Sequence, residues 1–214
     1  MANEKKQFTH FKIHTQYSIC EGAIKIVDLA KYCKENKVKS IGLNDSFNLC
    51  GALEFSEDIS KAGTQPIIGS QINFKFKNLI GKIPVFAKTE KGFNNLTKLS
   101  SKSYLDVEQS MPPHCDLNDL LNNNEDLIIT SGGLDSYFNQ LIQKNNEKEI
   151  EEFISKINSS FVDRFYFEIQ RHNDNGEKFL ENTILNISKK FKIPLIASQE
   201  VFYIEKDMFE AHDA

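Results

Sequence analysis

Short apolar runs alternate along this chain with stretches whose apolar residues recur every three or four positions. The clearest helical stripe is at 147–159, where Ile150, Phe153, Ile154 and Ile157 share one face. Leu180, Ile184 and Ile187 make a second stripe within 177–191, and Ile26, Leu29, Ala30 and Cys33 a third within 24–36. Further helices are predicted from a cap at Asn48 to about residue 62, where Gly63 stops the pattern, near 92–104, and over 116–123 behind Asp116. Strands are predicted at 8–14, 40–44, 66–76, 82–87, 126–130, 164–170 and 194–198. Most of these strands are followed by a helix, the signature of a mostly parallel sheet with crossover helices. Periodicity does not choose between an open doubly wound sheet and a closed barrel.

Composition narrows the class. With 214 residues, 40% of them hydrophobic, the chain can bury one sizeable core, and nothing marks a second domain. A net charge of −4 argues against a module that grips duplex DNA unaided, since that affinity comes from neutralising phosphates. The cysteines Cys20, Cys33, Cys50 and Cys115 form no CxxC pair, so a zinc ribbon is not expected. Met1 to Gln7 is polar, no apolar signal core follows, and no run is long enough to span a membrane. A cytoplasmic domain with reduced thiols is the expectation.

In parallel α/β folds chemistry gathers where strands end. The candidates there are His10, Lys12 and His14 with Glu21; Asp45 and Ser46; Ser70 and Gln71; Ser131 to Gly133; Gln170 to His172; and Gln199 to Phe202. A divalent metal would draw on His14, Glu21, Asp45 and Glu200, each of which also has an ordinary role as a turn, capping or hydrogen-bonding residue. Lys12, on the same strand face as His10 and His14, would repel a cation. No nucleophile elbow, Cys/His signature, P-loop or dinucleotide fingerprint is present. The 17 phenylalanines lie mostly at core spacing.

The same strand ends carry a resemblance. Phe8-Thr9-His10-Phe11-Lys12-Ile13-His14-Thr15-Gln16-Tyr17-Ser18, continued by Glu21-Gly22-Ala23, resembles the first motif of the PHP (polymerase and histidinol phosphatase) domain of bacterial DNA polymerase III alpha subunits. Ile41-Gly42-Leu43-Asn44-Asp45-Ser46, with Asn48-Leu49-Cys50-Gly51, resembles the second motif, and Gln65-Pro66-Ile67-Ile68-Gly69-Ser70-Gln71 the third. Gly92-Phe93-Asn94-Asn95-Leu96-Thr97-Lys98-Leu99 looks like a polymerase-specific helix. Stretches around Ser131-Gly132, Glu168-Ile169-Gln170, Ser198-Gln199-Glu200 and Ala211-His212-Asp213 complete the series across nearly the whole chain.

The resemblance implies a distorted (β/α)7 TIM-like barrel, forming a single domain at the N-terminus of a longer polymerase. In active members a ring of side chains at the barrel mouth holds a metal cluster. By motif alignment those positions are Lys12, His14, Glu21, Ser46, Gln71, Lys82, Gly133, Glu200 and Phe202. Only His14 keeps the family identity; Glu21 and Glu200 keep a carboxylate of altered identity or length. No catalytic residue and no metal are therefore expected, and any residual metal would fall to His14, Glu21 and Glu200. A Lys12–carboxylate pair is expected in the old site, and Lys12 and Lys82 are candidate anion contacts.

The implied role is a scaffold that stabilises a DNA-directed DNA polymerase and docks a separate proofreading exonuclease subunit. DNA is met only in the holoenzyme, no cofactor sits in this domain, and the polymerase Mg2+ lies in the rest of the alpha chain. The competing readings are a residual metal-dependent 3′–5′ exonuclease, phosphoesterase or pyrophosphatase, and a free-standing PHP phosphatase. Metal analysis separates the scaffold from the hydrolase.

Overall fold

The computed structural model describes residues 8–108 and 110–209, so the Ala211-His212-Asp213 stretch lies outside the described residues. In chain order the main elements are β1 (Lys12–Ile13), α1 (Ile26–Glu35), β2 (Ser40–Ser46), α2 (Ala52–Lys61), β3 (Gln65–Phe76), β4 (Leu79–Ala87) and α3 (Glu90–Leu105). Then follow β5 (Cys115–Asp116), α4 (Leu117–Asn122), β6 (Leu127–Thr130), α5 (Tyr137–Gln143), α6 (Glu147–Ser160), β7 (Phe165–Ile169), α7 (Glu177–Phe191), β8 (Leu195–Ala197) and β9 (Glu200–Val201).

Local chemistry explains most boundaries. Asp116 and Asp119 form a reciprocal capping box on α4, and Thr89 and Ser136 cap α3 and α5. Asn48 does not cap α2: its Oδ1 accepts from Cys50 N, while its Nδ2 donates to Tyr17 and Ser46 carbonyls. It holds the turn before the helix, which starts at Ala52. The predicted strand at 8–14 contracts to Lys12–Ile13, although the His10 carbonyl still accepts from Gly42 N. Helix α5 had no signal in apolar spacing, because nearly every residue of this short helix is buried.

The strands run β8-β7-β6-β4-β3-β2-β1-β9, with β5 beside β3. Pairing is parallel except around β4, which is antiparallel to both β3 and β6 because β3 and β4 form a hairpin. The ends of this path are consecutive in the chain. β8 pairs with β7 through Phe167↔Leu195, and after Ser198-Gln199, β9 pairs with β1 through Lys12↔Glu200. Segment 195–201 thus links the two edges, and the sheet curls into a distorted TIM-like barrel.

Alternation along the strands separates two environments. Ile13, Ile41 and Leu43 pack with α1 and α2, while Ile72, Phe74, Val85, Ile129 and Phe167 join the larger core beneath the other helices. Their neighbours Lys12, His14, Asn44, Ser46, Gln71, Thr130 and Glu168 face the lumen. Aliphatic side chains commonly fill such a lumen; here it is polar, and this is what positions the site.

Candidate functional site

Lys12 is fully buried in the lumen. Its Nζ donates to Glu200 Oε1 at 2.5 Å and to Glu168 Oε2 at 3.2 Å. Burial pulls the ammonium toward losing its proton, but the Glu168 and Glu200 carboxylates outweigh it and hold the pKa above the usual lysine value. Glu168 is anchored in turn by the Thr130 hydroxyl, by Ser198 Oγ at 2.5 Å and by Gln170 Nε2 at 2.9 Å. Glu200 accepts from His14 Nε2 at 2.7 Å and from Gln71 Nε2 at 3.0 and 3.1 Å. Burial pushes the Glu200 carboxyl up, yet Lys12 and His14 hold it well below the carboxylate range.

A second knot lies around Glu21. Ser46 Oγ donates to its Oε2 at 2.5 Å, and Lys82 Nζ to its Oε1 at 3.2 Å. Lys82, inside β4, also reaches Asp135 Oδ2 at 2.9 Å. Burial works against its charge, but Asp135 and then Glu21 raise its pKa. His14 joins the two knots, with Nδ1 3.3 Å from Ser18 Oγ and 3.8 Å from Glu21 Oε2. Phe202 stacks on the imidazole, ring centroids 4.5 Å apart and planes inclined by 20°.

Asp45 does not enter this pocket as a ligand. It accepts from Thr15 N at 2.6 Å, Thr15 Oγ1 at 2.8 Å and Ser18 Oγ at 2.7 Å, so it shapes the loop behind His14. Burial raises its pKa, and those hydrogen bonds pull the other way.

The nine aligned positions therefore converge in one connected network, Gly133 entering through Gln170. A Cβ on Gly133 would collide with the Gln170 amide, whose side chain occupies the space a ligand at 133 would need. As a donor set this fits a divalent ion poorly. Two ammonium groups lie among the carboxylates, one imidazole is covered by a phenyl ring, and Glu200 already accepts from three side chains. Near neutral pH Lys12 is held protonated and Glu200 ionised.

Lys12 and Lys82, the candidate anion contacts, are both engaged within the network. Lys12 is sealed from solvent, and each ammonium already carries two carboxylates. A neighbouring cleft of about 210 Å³ is lined by Asp135, Asp174, Glu177 and Glu200 together with Leu134, Gln170, His172 and Phe202.

Glu168, Thr130, Ser198 and Asp135 complete the network without having been singled out as site candidates, and Gln170, a strand-end candidate, joins them. Glu168 had a usable signal: an acid inside the aromatic strand Phe165-Tyr166-Phe167 requires a buried cation. Outside the network, His172, Asp174 and Glu177 bring ligand-type atoms within 4.8 Å of one another. The Glu177 carboxylate there accepts the backbone N–H groups of His172, Asn173 and Asp174, which gives it a loop-capping role. Among the described residues no helix is long and apolar enough to cross a membrane.

Residues 10–172 match the family model described as the PHP domain. The chain is 35% identical over 210 residues to a protein named DNA polymerase III subunit alpha from Rickettsia conorii, covering 98% of this chain and 18% of that one. It is 33% identical over 222 residues to the protein of that name from Caulobacter vibrioides, covering 99% and 19%. The chain thus spans under a fifth of the length of these relatives. In fold it is similar to a Bifidobacterium adolescentis protein described as a metal-dependent phosphoesterase, with a TM-score of 0.61 at 8% identity over 93% of this chain and 89% of that one. A Chromobacterium violaceum amidohydrolase aligns with a TM-score of 0.57 at 8% identity, over 91% and 87%.

Proposed function

The chain belongs to the PHP-domain family, and from that premise we propose that it is the PHP domain of a DNA polymerase III alpha subunit, serving cytoplasmic DNA replication as a non-catalytic scaffold. The parent chain would be the DNA-directed DNA polymerase, with its Mg2+ chemistry in the remaining polypeptide. This domain would stabilise that polypeptide and dock a separate proofreading exonuclease subunit.

The observation that carries the non-catalytic part is Lys12 Nζ between Glu200 and Glu168. An ammonium there supplies the positive charge that a metal cluster supplies in active members, and it carries no water to activate. Similarity along nearly the whole chain to alpha subunits supports the polymerase context over a free-standing phosphatase.

Two measurements test the reading. Purified protein should contain no stoichiometric transition metal and should release no nucleotide from a 3′ end in millimolar Mn2+. The cognate exonuclease subunit should bind in titration calorimetry; no association at micromolar concentrations would count against the docking role. Metal-dependent hydrolysis lost on His14→Ala would overturn the scaffold in favour of a residual hydrolase.

A further inference from the structure

The barrel does not close over its whole height. Parallel pairing of β1 with β9 begins at Lys12↔Glu200. Carried back along both strands, the same register would set Phe8 to His10 against Ile196 to Ser198, yet no ladder joins them among the described residues. An open groove of about 640 Å³ lies there instead, lined by Phe8, His10, Ile169, Arg171 and the segment from Leu195 to Gln199.

The wall on the β8 side specifies what fits. Phe167 N donates to Pro194 O and Ser198 N to Ile169 O, so it is Ile196 that turns its N–H and C=O toward β7. The N–H and C=O groups of Leu195 and Ala197 point the other way, toward the groove, and have no partner among the described residues. Such an unpaired edge is a template for another strand. By strand rise, strand spacing and sheet thickness an extended residue fills roughly 160 Å³, so the groove takes about four. Phe8, Ile169 and Leu195 make it apolar, Phe8 and Leu195 being exposed. Of the described lining residues only Arg171 carries a charge near neutral pH, since burial lowers the pKa of His10. Arg171 gives Nε and Nη2 to Glu181, and its Nη1 has no partner among the described residues.

We propose that this seam takes, by strand addition to β8, an extended peptide segment of a separate protein, apolar at alternate positions and with a carboxylate at the Arg171 end. Backbone pairing with Leu195 and Ala197 sets its register, and Phe8 and Leu195 receive its apolar side chains. A helix bonds its own backbone and would leave the edge groups unmet. A second copy would bring its own β8 edge, whose nearest acid, Glu200, is taken up by Lys12. The seam lies apart from the Lys12 network, and its occupant does not depend on the functional reading above.

The probe is an acetylated hexapeptide that alternates valine and threonine and ends in aspartate, added to the purified chain and read by amide hydrogen exchange. At about ten times its Kd, exchange at the Leu195 and Ala197 amides should slow about tenfold. The same peptide N-methylated at alternate positions keeps its side chains but loses edge hydrogen bonds, and should bind about tenfold more weakly. Ala197→Pro removes the edge N–H while sparing the ladder to β7, and should weaken the unmethylated peptide by a similar factor. Arg171→Glu should reverse the preference, so that a lysine-ended peptide binds better than the aspartate-ended one. No binding at millimolar peptide, equal affinity of the methylated peptide, or an unchanged preference in Arg171→Glu would overturn the proposal. So would Leu195 and Ala197 amides already protected in the free chain, whether by its own residues or by a second copy. Should Ala197→Pro not fold, the methylated peptide on the unaltered chain decides.

Discussion

The Gln170 side chain stands where any side chain at position 133 would have to begin. The pair is thus mutually exclusive, and restoring one ligand does not restore the site. Gly133→Cys should cost about 1–3 kcal/mol through overpacking. Adding Gln170→Ala to it should recover a substantial part, giving a coupling that a double-mutant cycle reads in urea unfolding. Strictly additive effects would show that the two positions do not compete.

Lys12→Met leaves Glu168 and Glu200 buried with no cation between them. Breaking a buried ion pair from one side costs about 3–5 kcal/mol, a large share of the roughly 5–15 kcal/mol that stabilises a domain. The expected result is a much lower unfolding midpoint, partly restored by adding Glu200→Gln. An unchanged midpoint for Lys12→Met would mean that the ammonium does not organise the lumen.

The same ion pair sets a pH window. Glu200 is held below its ordinary pKa, so its contribution is present above about pH 4–5 and is lost as pH falls further. Lys12 is held above its ordinary pKa, so its contribution is full below about pH 10 and is lost as pH rises through the folded-state value. Asp45, raised by burial, works in the opposite sense and softens the acid limb. Thermal melts should show a plateau between these limits, and Lys12→Met should flatten both limbs. Limbs of unchanged steepness in that variant would place the pH dependence elsewhere.

Metal should not stabilise the fold. A site saturated at a hundredfold excess over its Kd adds about 2.7 kcal/mol, a rise of at least about 5 °C for a domain of this size. Neither millimolar Mn2+ nor EDTA should move the melting temperature by more than about 1 °C, as scanning calorimetry will read. A rise of several degrees on adding Mn2+ would identify a metal that the fold retains.

Much of this was legible in the residues, and the gaps have physical reasons. The stripes of α6 and α7 and the Asp116 cap were readable because each is written within a few consecutive positions. The antiparallel setting of β4 was not, since apolar alternation carries no direction. The short ladder at β1 was hidden because residues 8–11 look like a strand but pair only in part. In the site, motif order placed Lys12, His14, Glu21 and Glu200 together. It gave no role to Glu168, whose partner Lys12 lies 156 residues away in sequence. Lys12 was taken for a mouth residue because sequence gives the face of a strand side chain but not its depth.

Segment 195–201 has a consequence for how the chain comes to be native. It supplies the last rung on both edges of the sheet and carries Glu200 to Lys12, which was made almost two hundred residues earlier. Contacts of that sequence separation form late and slow folding. On the ribosome, everything up to β7 can be synthesised while the lysine still lacks one of its two counter-charges and the ring is still open. Emergence of Glu200 therefore marks the moment at which this domain can first commit to its final shape.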